Sequence, residues 1–470
     1  MIVGLVLLSA LALVAWGTES GIGLSPDSLS YLAAARRPGH ATDFPPLYPM
    51  VLAALQTVGF SSTTAPLVLN LVLWGATVCL VGLVVRHSTR SSAMAAGAMG
   101  LTALAPPLLA VHVMAWSEPL FVSLGLLAAW SLTAYRETAA SAALTTAALA
   151  CGLAVATRWA GAAWVVTGLV VVLQRPCPTR GSNVARFLTL SCGPMAAWML
   201  FNAWGGRNPT HRVWHWHPVT VSNVAAGLST VQSWLLPPGT PSLLLWMALL
   251  ALVVWGRRTK RQPWEVMTLF LGAYMAVLVA ARSVFDAGIF FNDRMLCPLW
   301  PAMVVTAAAA VAPLIRRRPY RWVCLTLLLG VLEASVSLPR LQACHQNPAG
   351  YSGDVWRDSR VVELIRRLPA EAMVYTNDPN PFKAWTRRSV EWLPGRYDAE
   401  AGVMDADFAT SVQQMEAQFT AHDGGWFVFL TPSMSVAPAE PSERELKNLL
   451  HWRLVLRQPE GAVYAVPPNP

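Results

Sequence analysis

Through its first 340 residues the chain alternates apolar runs with short connections, and every second connection carries arginines. A run of about 20 apolar residues crosses a bilayer as a helix, so the pattern admits one architecture, a bundle of membrane spans. The runs read as spans at Ile2 to Trp16, Thr64 to Val85, Met94 to Val113, Pro119 to Ala134, Ala142 to Thr157 and Ala160 to Leu173. Phe187 to Trp204, Ser242 to Trp255, Trp264 to Ala281, Met295 to Ile315 and Trp322 to Leu338 follow. That makes about eleven spans. Charged residues are only 13% of the chain, against about 25% in a soluble domain, which fits.

The arginines set the orientation. Arg86 and Arg90, Arg136, the group Arg175, Arg180 and Arg186, the group Arg257, Arg258, Lys260 and Arg261, and the group Arg316, Arg317, Arg318 and Arg321 occupy alternate connections. The positive-inside rule places all of them in the cytoplasm, with the N-terminus inside and the C-terminal region outside. A multi-pass protein of the cell (inner) membrane is expected. Because the bases lie in loops between spans, the net charge of +9 is a membrane signature and implies no nucleic-acid partner. The two short spans flanking Arg158 are decisive, since reading them as one bent span would invert everything that follows.

Beyond Leu338 the chain is mixed and charged. Helical spacing over Asp354 to Leu368 and a polar helix over Asp405 to Ala421 alternate with apolar runs at Ala372 to Thr376 and Gly425 to Leu430. Trp452 to Leu456 and Ala462 to Val466 pair across Pro459-Glu460-Gly461. The fold class is therefore a polytopic α-helical membrane protein with a small C-terminal α/β extracytoplasmic domain. The boundaries are 1–340, with a first extracytoplasmic loop at 17–63, and 341–470. Seven cysteines show no Cys-x-x-Cys spacing, so neither a disulfide framework nor a zinc site is expected. No glycine-rich phosphate loop, nucleophile with histidine or His-Glu-x-x-His helix occurs.

Chemistry concentrates where charge meets the membrane boundary. After the first span, Ser25-Pro-Asp-Ser-Leu-Ser-Tyr31 starts a short helix that Ser25 or Asp27 caps, and Arg36 and Arg37 close it. Asp43-Phe-Pro-Pro-Leu-Tyr-Pro49 then opens a second one, with Leu47, Met50 or Val51, Ala54 or Leu55, and Val58 on one face. Both are too short to span and are expected to lie in the interface. Glu118, in Trp-Ser-Glu-Pro, starts a span, where an acid also suits the helix dipole. Arg158, in Ala-Thr-Arg-Trp, interrupts an apolar stretch and needs an anion unless it snorkels to the surface. Arg294 follows Asp293, which serves as its ion-pair partner or as a cap. Trp214-His-Trp216-His forms the centre of a long loop, and its indoles offer flat faces for sugar stacking.

An acid just after the first span, a nearby Tyr31 and Pro-Pro-Leu-Tyr-Pro opening a second interfacial helix resemble the first extracytoplasmic loop of the GT-C glycosyltransferases. The protein O-mannosyltransferase-like members of glycosyltransferase family 39 are the nearest pattern. Ser-Glu-Pro at 117–119, and Arg294 before the proline-containing helix, are similar to later motifs of that family, although Met295 stands where tyrosine is frequent. The resemblance covers roughly residues 1–340. It implies a membrane enzyme that moves a sugar from a polyprenyl-phosphate carrier to an extracytoplasmic hydroxyl of a glycan, lipid or protein, with inversion. Asp27 would be the base, since a carboxylate at the boundary can accept the acceptor's proton. Asp43, Glu118 and Tyr31 would position acceptor or loop, and Arg158 and Arg294 would neutralise the donor phosphate. No metal ligand set is apparent, and the need for a divalent ion stays open. A multi-span transporter or lipid flippase is the rival from another class, although transporters place their charges near the midplane. A non-catalytic membrane scaffold would not need Asp27.

Overall fold

The structure, a computed structural model, describes residues 2–37, 44–205, 214–236, 262–315, 320–386, 388–398, 403–422, 424–431, 443 and 452–467. Helix α1 (Ile2–Gly17) is followed by the two interfacial helices α2 (Pro26–Arg36) and α3 (Leu47–Thr57), close to where the proline and cap signals put them. Next come α4 (Thr64–Thr89), α5 (Ser92–Leu104), α6 (Pro106–His112), α7 (Glu118–Thr138), α8 (Ser141–Thr157), α9 (Ala162–Gln174), α10 (Arg180–Trp204) and α11 (Val221–Gln232). The helical part ends with α12 (Gln262–Val284), the single turn α13 (Asp293–Leu296), α14 (Leu299–Ile315) and α15 (Tyr320–Gln346).

Among the described residues, four helices are long and apolar enough to cross a membrane, and α5 with α6 makes a fifth span if that bent pair is counted as one. The helices expected at Ile2 to Trp16, Ala142 to Thr157 and Ala160 to Leu173 are present close to those bounds, each shorter than the four long ones. The span expected over Ser242 to Trp255 lies outside the described residues. Met94 to Val113 is not continuous: the chain bends by 57° at Ala105. Pro106 and Pro107 have no N–H to give to Thr102 and Ala103, so the helix breaks there. One freed carbonyl, that of Leu104, accepts from the Ser337 hydroxyl of α15 at 2.6 Å.

α8 and α9 form a hairpin. Arg175, at the end of α9, donates to the carbonyl of Arg136 at the end of α7, and Arg186 of α10 reaches Ser141 at the start of α8. The start of α8 and the end of α9 therefore share one end of the bundle, and Arg158 sits at the opposite end. Gly161 makes the turn possible, because a Cβ there would overlap the backbone of Ala154 and Val155. His87, at the end of α4, meets Glu137 at 2.9 Å on the same basic end.

α3 buries Tyr48, Pro49 and Leu52, whereas of the face read from spacing Leu47, Val51 and Leu55 are half-buried and Met50 and Val58 are exposed. Tyr48 sets that rotation by packing edge-on against Tyr31, with ring centroids 5.1 Å apart. The exposed pair then suits lipid.

The C-terminal part contains α16 (Asp354–Arg357), α17 (Arg360–Arg367), β1 (Val374–Thr376), α18 (Asn380–Trp385), β2 (Glu391–Trp392), β3 (Tyr397–Asp398), β4 (Val403–Met404), α19 (Phe408–Ala421), β5 (Gly425–Leu430), β6 (Arg453–Gln458) and β7 (Gly461–Val466). Its sheet has the order β2-β1-β5-β7-β6, with β1 parallel to both neighbours and the β6–β7 hairpin antiparallel. This layer shares a hydrophobic core with the interfacial helices: Leu32, Tyr48 and Leu52 pack in one cluster with Tyr351, Phe382, Val428 and Val463.

Candidate active site

α2 is held at its start by a reciprocal cap: Ser28 N–H donates to Ser25 Oγ at 3.3 Å, and Ser25 N–H donates to Ser28 Oγ at 3.0 Å. The cap is Ser25 and not Asp27, so the Asp27 carboxylate is available for other partners. The backbone before it is pinned from two sides. Gly23 N–H donates to the Val113 carbonyl after α6, and Ala115 N–H donates back to Gly23, both at 2.9 Å. Leu24 exchanges hydrogen bonds with Ala349 and Tyr351 after α15, at 3.1 and 2.8 Å. Gly350 lies at φ +68, and a Cβ there would overlap the Leu24 carbonyl oxygen. The indole of Trp116 donates to Ser25 Oγ at 2.7 Å and so ties the α7 entrance to the same cap.

Four charges from four distant segments meet at this end of the bundle. Arg294 Nη1 lies 2.6 Å from Asp27 Oδ2, and its Nε lies 2.5 Å from Glu118 Oε1. Arg158 pairs with the same Glu118 oxygen and donates to Ser117 Oγ at 3.2 Å. Glu118 is 1% exposed, whereas Asp27 keeps 30% of its side-chain surface. The buried acid thus cements two guanidiniums while the accessible acid faces out. Trp116 lies under Arg294, 4.6 Å from the guanidinium carbon to the ring centre, adding a cation–π contact. Burial works against the charge on Arg294, but Glu118 and Asp27 outweigh it and hold the group firmly protonated. Tyr31 gives or takes a hydrogen bond with Ser117 Oγ at 3.2 Å. Burial, and then the nearby Asp27, push its phenol up to about 12, so it is neutral at physiological pH.

Asp27, Tyr31, Glu118, Arg158 and Arg294 are therefore neighbours. Asp43 lies outside the described residues. Trp214 packs edge-on against Phe285 and its loop runs beside the end of α12, where His215 and His217 N–H donate to the Val284 and Ser283 carbonyls. Both Trp214 and Trp216 are 75% exposed, and no described contact links either to the charged cluster. Asp293 is not the partner of Arg294. It accepts from Trp234 Nε1 at 2.7 Å and pairs with Arg340 at 3.1 Å, because Asn292 takes the cap of α13.

Sequence reading missed Arg340 and Trp116. Arg340 looks like any cation past a span, and its signal is only its position one helical turn beyond Ser337 on the face turned to α6. A cavity of about 430 Å³ lies between these elements, lined by Leu109, Val113, Met114 and Leu341 together with Arg294 and Arg340. Apolar walls with two guanidiniums, and with the Asp293 carboxylate that pairs with Arg340, suit an amphiphile with an anionic head. Among the described residues no three metal-ligating side chains cluster. Asp27 and Glu118 are bridged by Arg294 and do not converge on a common point.

No family model and no curated protein sequence matches the chain. Its fold is similar to that of ArnT from Cupriavidus metallidurans, solved bound to undecaprenyl phosphate, at 13% identity and a TM-score of 0.63 over 98% of this chain and 97% of that one. It is also similar to the oligosaccharyltransferase AglB from Archaeoglobus fulgidus, in complex with an inhibitory peptide and a dolichol-phosphate. There the TM-score is 0.56 at 12% identity, over 91% of this chain and 69% of that one. The arabinofuranosyltransferase AftD from Mycobacteria aligns over 99% of this chain but only 41% of its own, at 15% identity and a TM-score of 0.56. The helical bundle, the interfacial helices and the C-terminal sheet together give this chain the fold of the ArnT and AglB structures.

Proposed function

We propose that the chain is an integral membrane glycosyltransferase that moves a sugar from a polyprenyl-phosphate carrier to an acceptor hydroxyl outside the cytoplasm. The observation that carries this reading is the junction of Asp27, Glu118 and Arg294 beside an apolar cavity lined by Arg294 and Arg340. The ligands named in the ArnT and AglB structures, undecaprenyl phosphate and dolichol-phosphate, are amphiphiles of the kind such a cavity suits.

In this reading the polyprenyl chain lies along Leu109, Val113 and Leu341, and its phosphate meets Arg294 and Arg340. Asp27 takes the proton of the acceptor hydroxyl as its oxygen attacks the anomeric carbon from the face opposite the phosphate. The bond to the phosphate oxygen breaks, the configuration inverts, and polyprenyl phosphate leaves with its added charge neutralised by the guanidiniums. A phosphate drawing on Arg294 also loosens its hold on Asp27, freeing the carboxylate as base. Arg158, which does not line the cavity, holds Glu118 and through it Arg294. The basic end of the bundle is cytoplasmic and the C-terminal α/β part, 341–470, roofs the catalytic face outside the membrane.

The test is release of polyprenyl phosphate from a panel of polyprenyl-phosphate sugars by purified protein in lipid, with envelope extract as acceptor. Asp27→Asn is expected to lower turnover by about 100-fold or more with folding retained. A variant that turns over as wild type does would remove Asp27 from the chemistry and favour the transporter or scaffold reading.

A further inference from the structure

α2 carries Asp27 near one end and Arg36 at the other, about two and a half turns and about 14 Å apart along the axis. Its inner face buries Ser28, Tyr31, Leu32 and Ala35. Helical spacing puts Asp27 and Arg36 on opposite flanks of that face, and the outer surface between them bears Ser30 and Ala33, which are exposed, with Leu29 and Ala34 half-buried. A shallow track therefore runs over the helix from the carboxylate to Arg36.

At the far end of the track is a concave pocket of about 620 Å³, lined among the described residues by Arg36, Lys383, Thr386 and Arg388. Three cations share it, and among the described residues no acid lines it. α18, which carries Lys383, packs directly on α2. Arg388 is a fixed wall: its guanidinium donates to the carbonyls of Leu368 at 2.7 Å and Ala372 at 2.8 Å, while Glu371 acts on it electrostatically. Among the described residues, Arg36 donates to Ser62 Oγ at 3.4 Å and meets no acid. The concavity gathers positive charge that no described side chain inside it neutralises, which attracts anions and steers them along the same surface as the base.

We infer that this pocket binds a phosphate or carboxylate of the acceptor, so that the acceptor is an anionic glycan or glycolipid headgroup whose charge lies about 14 Å from the reacting hydroxyl. The inference rests on Asp27 marking the transfer point. Arg36 and Lys383 grip the anion, the backbone of the acceptor crosses Ser30 and Ala33, and the hydroxyl arrives at Asp27.

The experiment uses full-length protein in lipid nanodiscs. Envelope extract is split by anion exchange, and each fraction is offered as acceptor while polyprenyl phosphate release is followed. Binding of inorganic tripolyphosphate and of an oligogalacturonate is measured separately. Acceptor activity is expected in the retained, anionic fraction. The double variant R36Q/K383Q is expected to raise the half-saturating amount of that fraction by about tenfold or more, with the maximal rate held, and to lose the anion probes. Arg360→Gln, which removes an exposed arginine of α17, controls for general charge and should move neither. Partition of the retained activity into organic solvent identifies a lipid headgroup, and retention in water identifies a polymeric glycan. An equally good neutral fraction, or a half-saturation unmoved in R36Q/K383Q, overturns the inference. Should no fraction support turnover, the Asp27 reading fails by itself. The anion probes still judge the pocket, and absent binding, or binding that survives R36Q/K383Q, refutes it.

Discussion

At the scale of single residues, the site is a row of alternating charges in which one buried acid has the largest share. Glu118 compensates two guanidiniums that are themselves largely buried, so Glu118→Gln leaves Arg158 without its acid and Arg294 with Asp27 alone. Breaking a buried pair in this way is expected to cost about 3 kcal/mol of stability, read as a lowered unfolding midpoint in detergent, and to lower transfer as Arg294 shifts. An unchanged midpoint would mean that solvent reaches the junction. Glu118 and Arg158 stood out beforehand because a charge beside an apolar run needs a reason to be there, and Asp27 and Arg294 through the resemblance of their surroundings to the family's motifs. Their pairing did not. Asp293 stands next to Arg294 in sequence yet serves Arg340, since the cap of α13 turns the two side chains apart. Trp116, one indole among 21 in a membrane chain, carries no mark of its double contact with Ser25 and Arg294.

At the scale of elements, α2 is short and owes its place to the bridges on either side of Leu24. Gly350→Ala puts a side chain at a positive φ and into the Leu24 carbonyl. It is expected to cost about 1–3 kcal/mol and to reduce transfer far more than it reduces helix content, measured by turnover beside circular dichroism. Transfer at the wild-type rate would show that α2 is held by its apolar face alone. Proline and serine announced this helix, and apolar spacing announced α4, α7, α12 and α15. The break at Ala105 was read through as one span, because two prolines inside an apolar stretch do not end its hydropathy. The bridges of Gly23 and Leu24 with Met114 and Gly350 are single contacts between distant positions, and periodicity holds no trace of them.

At the scale of the whole molecule, the described arginine-bearing connections after α4, α7 and α9 gather at one end and the acids of the charged cluster at the other. Residue Cys177 lies in a connection of the basic end, so a membrane-impermeant maleimide added to intact cells is expected to spare it. The same reagent should label a cysteine placed at Ser389 in the C-terminal part. Labelling of Cys177 from outside would reverse the orientation. The fold class was legible because hydropathy and loop charge are properties of long stretches, which survive local misreading. That the C-terminal layer shares its core with α2 and α3 was hidden, since the residues involved, among them Leu52, Phe382 and Val463, look like separate interiors in sequence. This shared core bears on synthesis. Asp27 leaves the ribosome early, yet the backbone partners that fix its helix, Ala349 and Tyr351, and the apolar layer above them are made after all the helices described up to α15. A nascent chain already inserted in the bilayer therefore lacks a pinned α2 until Ala349, Tyr351 and the strand of Val463 have been made, and a chain truncated before them is an inserted bundle without an assembled charge cluster.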